Sequence, residues 1–230
     1  MLNMRAGLAL VAAGVILGGC ATPQPPVALN QNALGAGAGR VGVAMTRLPK
    51  VDTYFPGASC LLCIAAANIA NSSLTTHTQA LPYEDLAKLK ERVADAMRRK
   101  GTDVIVIAED IDVGALPDYS NPGPNVAKKD FTSLQKKYGV GKLLVIDVYT
   151  LGMWRTYSAY FPTSDPKAVF GGRGYIVNLG SNAYEWYLPV NVLRSAEGNW
   201  DEPPKFPGLT NAYFQALEIG KDSYVKPLSN

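Results

Sequence analysis

Apolar and polar positions repeat with two different periods along this chain, and the switches between them set out the elements. The β-branched run "VGVAMT" (41–46) predicts a first strand. In "PYEDLAKLKERVADAMRRKG", Leu86, Leu89, Val93 and Met97 recur at helical spacing and predict a helix over 83–100. Glu84 and Asp85 in its first turn, Arg98, Arg99 and Lys100 in its last, and Gly101 after it suit the helix dipole and a C-terminal stop. "DVIVIAED" (103–110) predicts a strand buried on both faces. Asp130 is placed to cap a short helix "FTSLQKKY" that ends at Gly139. "KLLVIDVYT" (142–150) is the next apolar strand, and "LGMWRTYSAYF" continues it in an extended, aromatic style.

The later chain alternates with period two. "VFGGRGYIVNL" and "AYEWYLPVNVL" flank "GSN" and predict an antiparallel hairpin. Its second strand sets Tyr184, Trp186, Leu188, Val190 and Val192 on one face. Gly171, Gly172 and Gly174 predict a bulge, and Pro189 an edge strand or a bulge. "TNAYFQALEIG" predicts a closing helix capped by Thr210, with Tyr213, Phe214 and Leu217 inward; "WDEPPKFPGL" before it reads as a strap. The sum is an α/β (α+β) domain: a mixed sheet with two to three helices packed on it and a late antiparallel β-hairpin.

Two regions fall outside this periodicity. Arg5, the apolar stretch 6–17 and the small residues before Cys20 have the layout of a secretory signal peptide. After Cys20, "ATPQPPVALNQNALGAGAGR" shows no apolar period and reads as a flexible tether over 20–40. "GAGAGR" lacks the strand and spacing of a dinucleotide loop. The expected organisation is a signal peptide (1–19), the tether (20–40) and a single domain (41–230). The net charge of +3, with no basic run interleaved with aromatics, gives no basis for nucleic-acid binding.

Candidate chemistry is sparse. His77, the sole histidine, lies in a polar Thr-rich stretch and reads as an exposed loop residue. A Cys-His relay would need His77 beside Cys60 or Cys63, and a zinc site on Cys60, Cys63 and His77 would need a fourth ligand. Glu109, Asp110 and Asp112, and Asp201 with Glu202, read as solvated loop charge. The expectation is therefore no catalytic residue, no metal, no cofactor and no enzyme. Trp154, Trp186 and Trp200, with the tyrosines of 149–187, form either an aromatic core, a subunit interface or a glycan-binding face.

"ASCLLCIAAANIA" (58–70) is the most distinctive stretch. Cys60 and Cys63 pair most simply as a disulfide in an oxidising compartment; free buried thiols, redox chemistry and metal binding are the alternatives. The run is too short to span a bilayer and too apolar for an ordinary surface loop. It either buries against a neighbouring subunit, a partner or the inner leaflet through residues such as Ile64, or packs in the domain's own core. Tyr184, Trp186 and Tyr187 are the other expected interface residues.

Two resemblances add to this reading. Leu17-Gly18-Gly19-Cys20 resembles a bacterial lipobox, which implies cleavage before Cys20, a diacylglycerol and fatty acyl (palmitate-type) anchor on Cys20, and contact with the lipid bilayer. Ala21, where such lipoproteins carry Asp for inner-membrane retention, implies the periplasmic face of the outer membrane. The element order of 41–220 resembles that of periplasmic lipoprotein domains: the curli-secretion channel lipoprotein, the Pel polysaccharide export lipoprotein and the lipoprotein activators of penicillin-binding proteins. The "KLLVIDV" strand and "NLGSNAYEWYLPV" hairpin carry that likeness. It implies non-enzymatic work as a structural or accessory subunit of an envelope assembly, as a homo-oligomer or with an envelope protein partner. A glycan- or peptidoglycan-binding lipoprotein is the alternative.

Overall fold

The computed structural model describes residues 23–229. The expected signal peptide and Cys20, the expected lipidation site, lie outside the described residues. In chain order the elements are β1 (Val41–Met45), β2 (Asp52–Tyr54), α1 (Leu61–Ala70), α2 (Ser72–Gln79), α3 (Leu89–Arg99), β3 (Val104–Asp110), α4 (Thr132–Tyr138), β4 (Lys142–Trp154), β5 (Tyr157–Ser158), β6 (Phe161–Pro162), β7 (Lys167–Asn178), β8 (Tyr184–Ser195) and α5 (Pro207–Ser229). The main sheet runs β3-β1-β4-β7-β8, with β2 beside the far end of β4. β1, β2 and β3 run parallel to their neighbours; β7 is antiparallel to both β4 and β8. The fold is the expected mixed α/β type.

One face of the sheet is fully clad. A 3₁₀ turn (Glu84–Lys88) leads into α3, and Leu86, Leu89, Val93 and Met97 are buried as their spacing required. α5 lies beside α3 and covers β7 and β8 with Tyr213, Leu217 and Tyr224. Each fully buried large side chain here contributes about 1.5–3 kcal/mol of transfer free energy. The backbone on this side leaves no room at Gly172: a Cβ would come within 2.6 Å of the Asp147 carbonyl oxygen. The second face is clad only in part. α4, held by Asp130 accepting from the Thr132 amide at 2.9 Å and stopped by left-handed Gly139, packs Leu134 there. The 111–131 loop adds Ile111, Ala127 and Phe131.

Several expectations are corrected. β3 is an edge strand with exposed residues at its end, because β1 and not β3 sits beside β4. The stretch 47–80, to which the periodicity assigns no element, contains β2, α1 and α2. Phe214 points outward, one position off the stripe set by Tyr213 and Leu217. The closing helix extends over 207–229, because packing on the sheet carries it past Gly220.

Residues read as the distal tether are docked. The Val27 amide donates to the Tyr187 carbonyl at 2.9 Å and the return bond measures 3.0 Å; Asn30 donates to Glu185 at 2.9 Å. Ala33 and Ala38 are buried, and the Lys142 ammonium reaches the Asn32 carbonyl at 2.8 Å. Residues 27–30 thus cover part of the β8 edge, an exposed row of backbone groups that would otherwise invite pairing.

Candidate functional site

Two surface features stand out. The first is α1. Pro56-Gly57 turns the chain, Cys60 caps the helix by accepting from the Cys63 amide, and the Cys60–Cys63 disulfide ties the first turn. Cys63 and Ala67 face inward against Ala58, Phe55 and Tyr157. Leu61, Leu62 and Ile69 are 88%, 71% and 77% exposed, and Ile64 is 43% exposed. The β5–β6 hairpin adds exposed Tyr160 and Phe161, with the Tyr160 hydroxyl 3.7 Å from Cys60 Sγ.

The base of the helix is pinned while its outer face is bare. Asn71 Nδ2 donates to the Ala67 carbonyl and the Tyr157 hydroxyl, each at 2.7 Å; Arg155 donates to Asn71 Oδ1 at 2.8 Å. No Lys, Arg, Asp or Glu occurs between Asp52 and Glu84. Exposed, uncharged apolar surface on a fixed helix is the composition of an interaction site.

The second feature is a cleft of about 1170 Å³ on the open half of the sheet's second face. At its floor Arg173 Nε meets Asp147 Oδ2 at 2.8 Å across the β4–β7 pair, and the Thr46 hydroxyl donates to Asp147 Oδ1 at 2.9 Å. Burial works against the Arg173 charge, but the Asp147 carboxylate, a hydrogen bond to Tyr187 and the nearby Tyr175 together outweigh it and hold the guanidinium more firmly protonated than usual. Tyr149, Tyr175, Tyr184 and Tyr187 line the cleft. Tyr175 and Tyr187 stack at 5.9 Å, and Tyr184 meets Tyr187 at 5.1 Å. Burial raises the Tyr175 hydroxyl well above its ordinary pKa and, with Tyr187 close by, pushes Tyr184 up to about 12.

The expected site residues divide accordingly. Ile64 lies on the exposed helix, and Cys60 and Cys63 are disulfide-bonded. Tyr184 lines the cleft half-buried, whereas Tyr187 is 7% exposed in its wall, too buried for the expected surface contact. Trp186 is 3% exposed under α5, which removes it as a surface contact. The single face expected for Tyr184 and Trp186 is split by a bulge: Tyr184 pairs with Val177 and Trp186 with Ile176, leaving Glu185 extra. His77 is not a loop residue; it sits on α2, 2.8 Å from the Thr210 hydroxyl and against Phe206. Glu109 pairs with Lys137 at 3.3 Å, while Asp110 and Asp112 border the cleft. Among the described residues no group of three or more His, Cys, Asp or Glu side chains is arranged to hold a metal, and no helix is long and apolar enough to cross a membrane. Arg173 and Asp147 escaped sequence reasoning; their only signal was a charge inside each of two otherwise apolar strands.

No protein-family model matches the chain, and no curated protein matches its sequence. Solved structures show a weak likeness. A protein from Xanthomonas campestris is 14% identical, with 89% of this chain and 92% of that chain covered and a TM-score of 0.41. The PelC dodecamer from Paraburkholderia phytofirmans is 12% identical, with 89% and 93% covered and a TM-score of 0.35. A lipoprotein from Neisseria meningitidis is 13% identical, with 78% and 95% covered and a TM-score of 0.27. Identities and scores at this level assign neither family nor function.

Proposed function

We propose that the chain is a non-enzymatic accessory subunit of a cell-envelope assembly, anchored through acylated Cys20 to the periplasmic face of the outer membrane. It joins that assembly, as a homo-oligomer or beside a protein partner, through α1. The observation that carries the reading is the uncharged face of α1, where Leu61, Leu62 and Ile69 stand in solvent on a helix fixed by a disulfide and the Asn71 network. Bare apolar side chains on a rigid support match the centre of a protein interface, which is depleted in charge. The Cys20 lipobox supplies the anchor and the compartment, and the disulfide suits an oxidising one.

The test is the double substitution Leu61→Asp/Leu62→Asp in the full chain. Both positions are exposed, so the domain stays folded, and the complex extracted in mild detergent falls to a smaller mass. A variant complex of wild-type mass rejects α1 as the docking element. Cys20→Ser is the companion: it removes the acyl anchor and the protein leaves the membrane fraction. Wild-type protein without lipid, or a variant that fractionates like wild type, rejects the anchor.

A further inference from the structure

We propose that the tyrosine-lined cleft binds a neutral glycan chain. The site is independent of α1 docking and follows from what the sheet leaves open. α4 and the 111–131 loop cover one half of the second face and bury Tyr175 and Tyr187 against it; at the margin Tyr149 and Tyr184 stay open beside a polar floor. Two register irregularities build it. The β7–β8 bulge moves Tyr184 to the side of Tyr175 and Tyr187, and Tyr149 occupies the β4–β7 bulge, half-exposed at the mouth.

The ligand class follows from four properties. Tyr149 and Tyr184, backed by the buried Tyr175–Tyr187 stack, offer flat apolar rings with a hydroxyl at the edge, which matches a sugar's C–H face and its rim of hydroxyls. The floor supplies a fixed carboxylate–guanidinium pair, able to accept from and donate to neighbouring hydroxyls. Charge is nearly balanced along the lining, with Arg47, Lys128, Lys129 and Arg173 against Asp110, Asp112 and Asp147. Arg173 is committed to Asp147, and Lys129 to Asp118 at 2.9 Å, so no concentrated positive field attracts phosphate. Finally, about 1170 Å³ exceeds the roughly 300–1,000 Å³ of small-molecule pockets, which favours several linked units over one. The same tyrosine hydroxyls and charged floor disfavour an acyl chain, which would leave them unpaired.

The test is calorimetry on the full chain in detergent with an N-acetylglucosamine hexamer, a glucose hexamer and both monosaccharides. The expected result is saturable binding of at least one hexamer, about tenfold or more tighter than its monosaccharide. Tyr149→Ala should weaken it about tenfold, the worth of one aromatic contact. Tyr149→Trp should keep it, and the unfolding temperature should not move in either variant. Absence of saturable binding to both hexamers overturns the proposal, as does Tyr149→Ala binding with wild-type affinity. A preference for heparin or anionic vesicles over the neutral hexamers, lost in Tyr149→Ala, overturns it in favour of an anion site.

Discussion

Glu185→Gln tests how the segment before β1 is held. Lys142 and Glu185 meet at 2.7 Å with side chains only 11% and 14% exposed. Glu185 Oε1 also accepts from Asn178 Nδ2 at 2.9 Å, and Lys142 donates to the Asn32 carbonyl at 2.8 Å. A glutamine can turn its oxygen to Asn178, but its amide then confronts the ammonium donor to donor. The Lys142 charge keeps one neutral partner in a poorly solvated site. Removing one member of a buried pair costs about 3–5 kcal/mol, and the residual exposure places this pair at the lower end, about 3 kcal/mol. With a urea slope of about 2–3 kcal/mol/M, the unfolding midpoint falls by about 1 M at unchanged slope. Hydrogen exchange at the Asn30 and Ala33 amides should accelerate beyond the global change, because the ammonium that ties the 3₁₀ turn at 31–33 to β4 loses the carboxylate that fixes its position. The pair Lys142→Met/Glu185→Leu removes both charges and should return to within about 1 kcal/mol of wild type. A single variant costing under about 0.5 kcal/mol, or a double variant no better than the single, would refute the reasoning and show the pair to be solvated.

Further outcomes follow from the same geometry. Leu89→Ala, at a fully buried position under α3, should cost about 2–5 kcal/mol by chemical denaturation; a cost below about 1 kcal/mol would remove α3 from the core. Burial, with Lys205 nearby, holds the His77 pKa below its ordinary value of about 6.5. The stability it contributes is therefore complete above about pH 6.5 and lost as pH falls through the lower folded value. An NMR titration of this single histidine should show a midpoint below that of a free peptide, and His77→Gln should lack the matching loss of stability. A midpoint at or above the peptide value refutes this. Mass spectrometry without reductant should find Cys60 and Cys63 linked; alkylation of both without reductant would remove the staple.

Element identity was legible wherever a segment reports its own burial. Leu86 to Met97 show a single stripe, and "KLLVIDV" can only be a covered strand. Partners decided the rest. β3 has the composition of a central strand, yet β1 intervenes between it and β4. Tyr184 and Trp186 alternate as if on one face, and a single extra residue at Glu185 separates them. The 27–38 segment has no apolar period because only isolated residues such as Ala33 are buried, and its backbone bonds to β8 leave no mark on its side chains. α1 was visible as an anomaly, but whether it faced the core or solvent depended on the turn at Pro56-Gly57. The cleft was least legible, since Asp147, Arg173 and Tyr149 come from separate strands and meet only through register.

Photocrosslinking at position 62 tests the account's central claim most directly. A photoreactive amino acid replacing Leu62 in the full chain, irradiated in intact cells, reads out what lies against the exposed face of α1. The account predicts a discrete protein–protein product, either a homo-dimer band or one defined partner, that disappears when Leu61→Asp is added. Irradiation that yields no protein adduct at position 62, with normal adducts from a control position elsewhere on the surface, would contradict it.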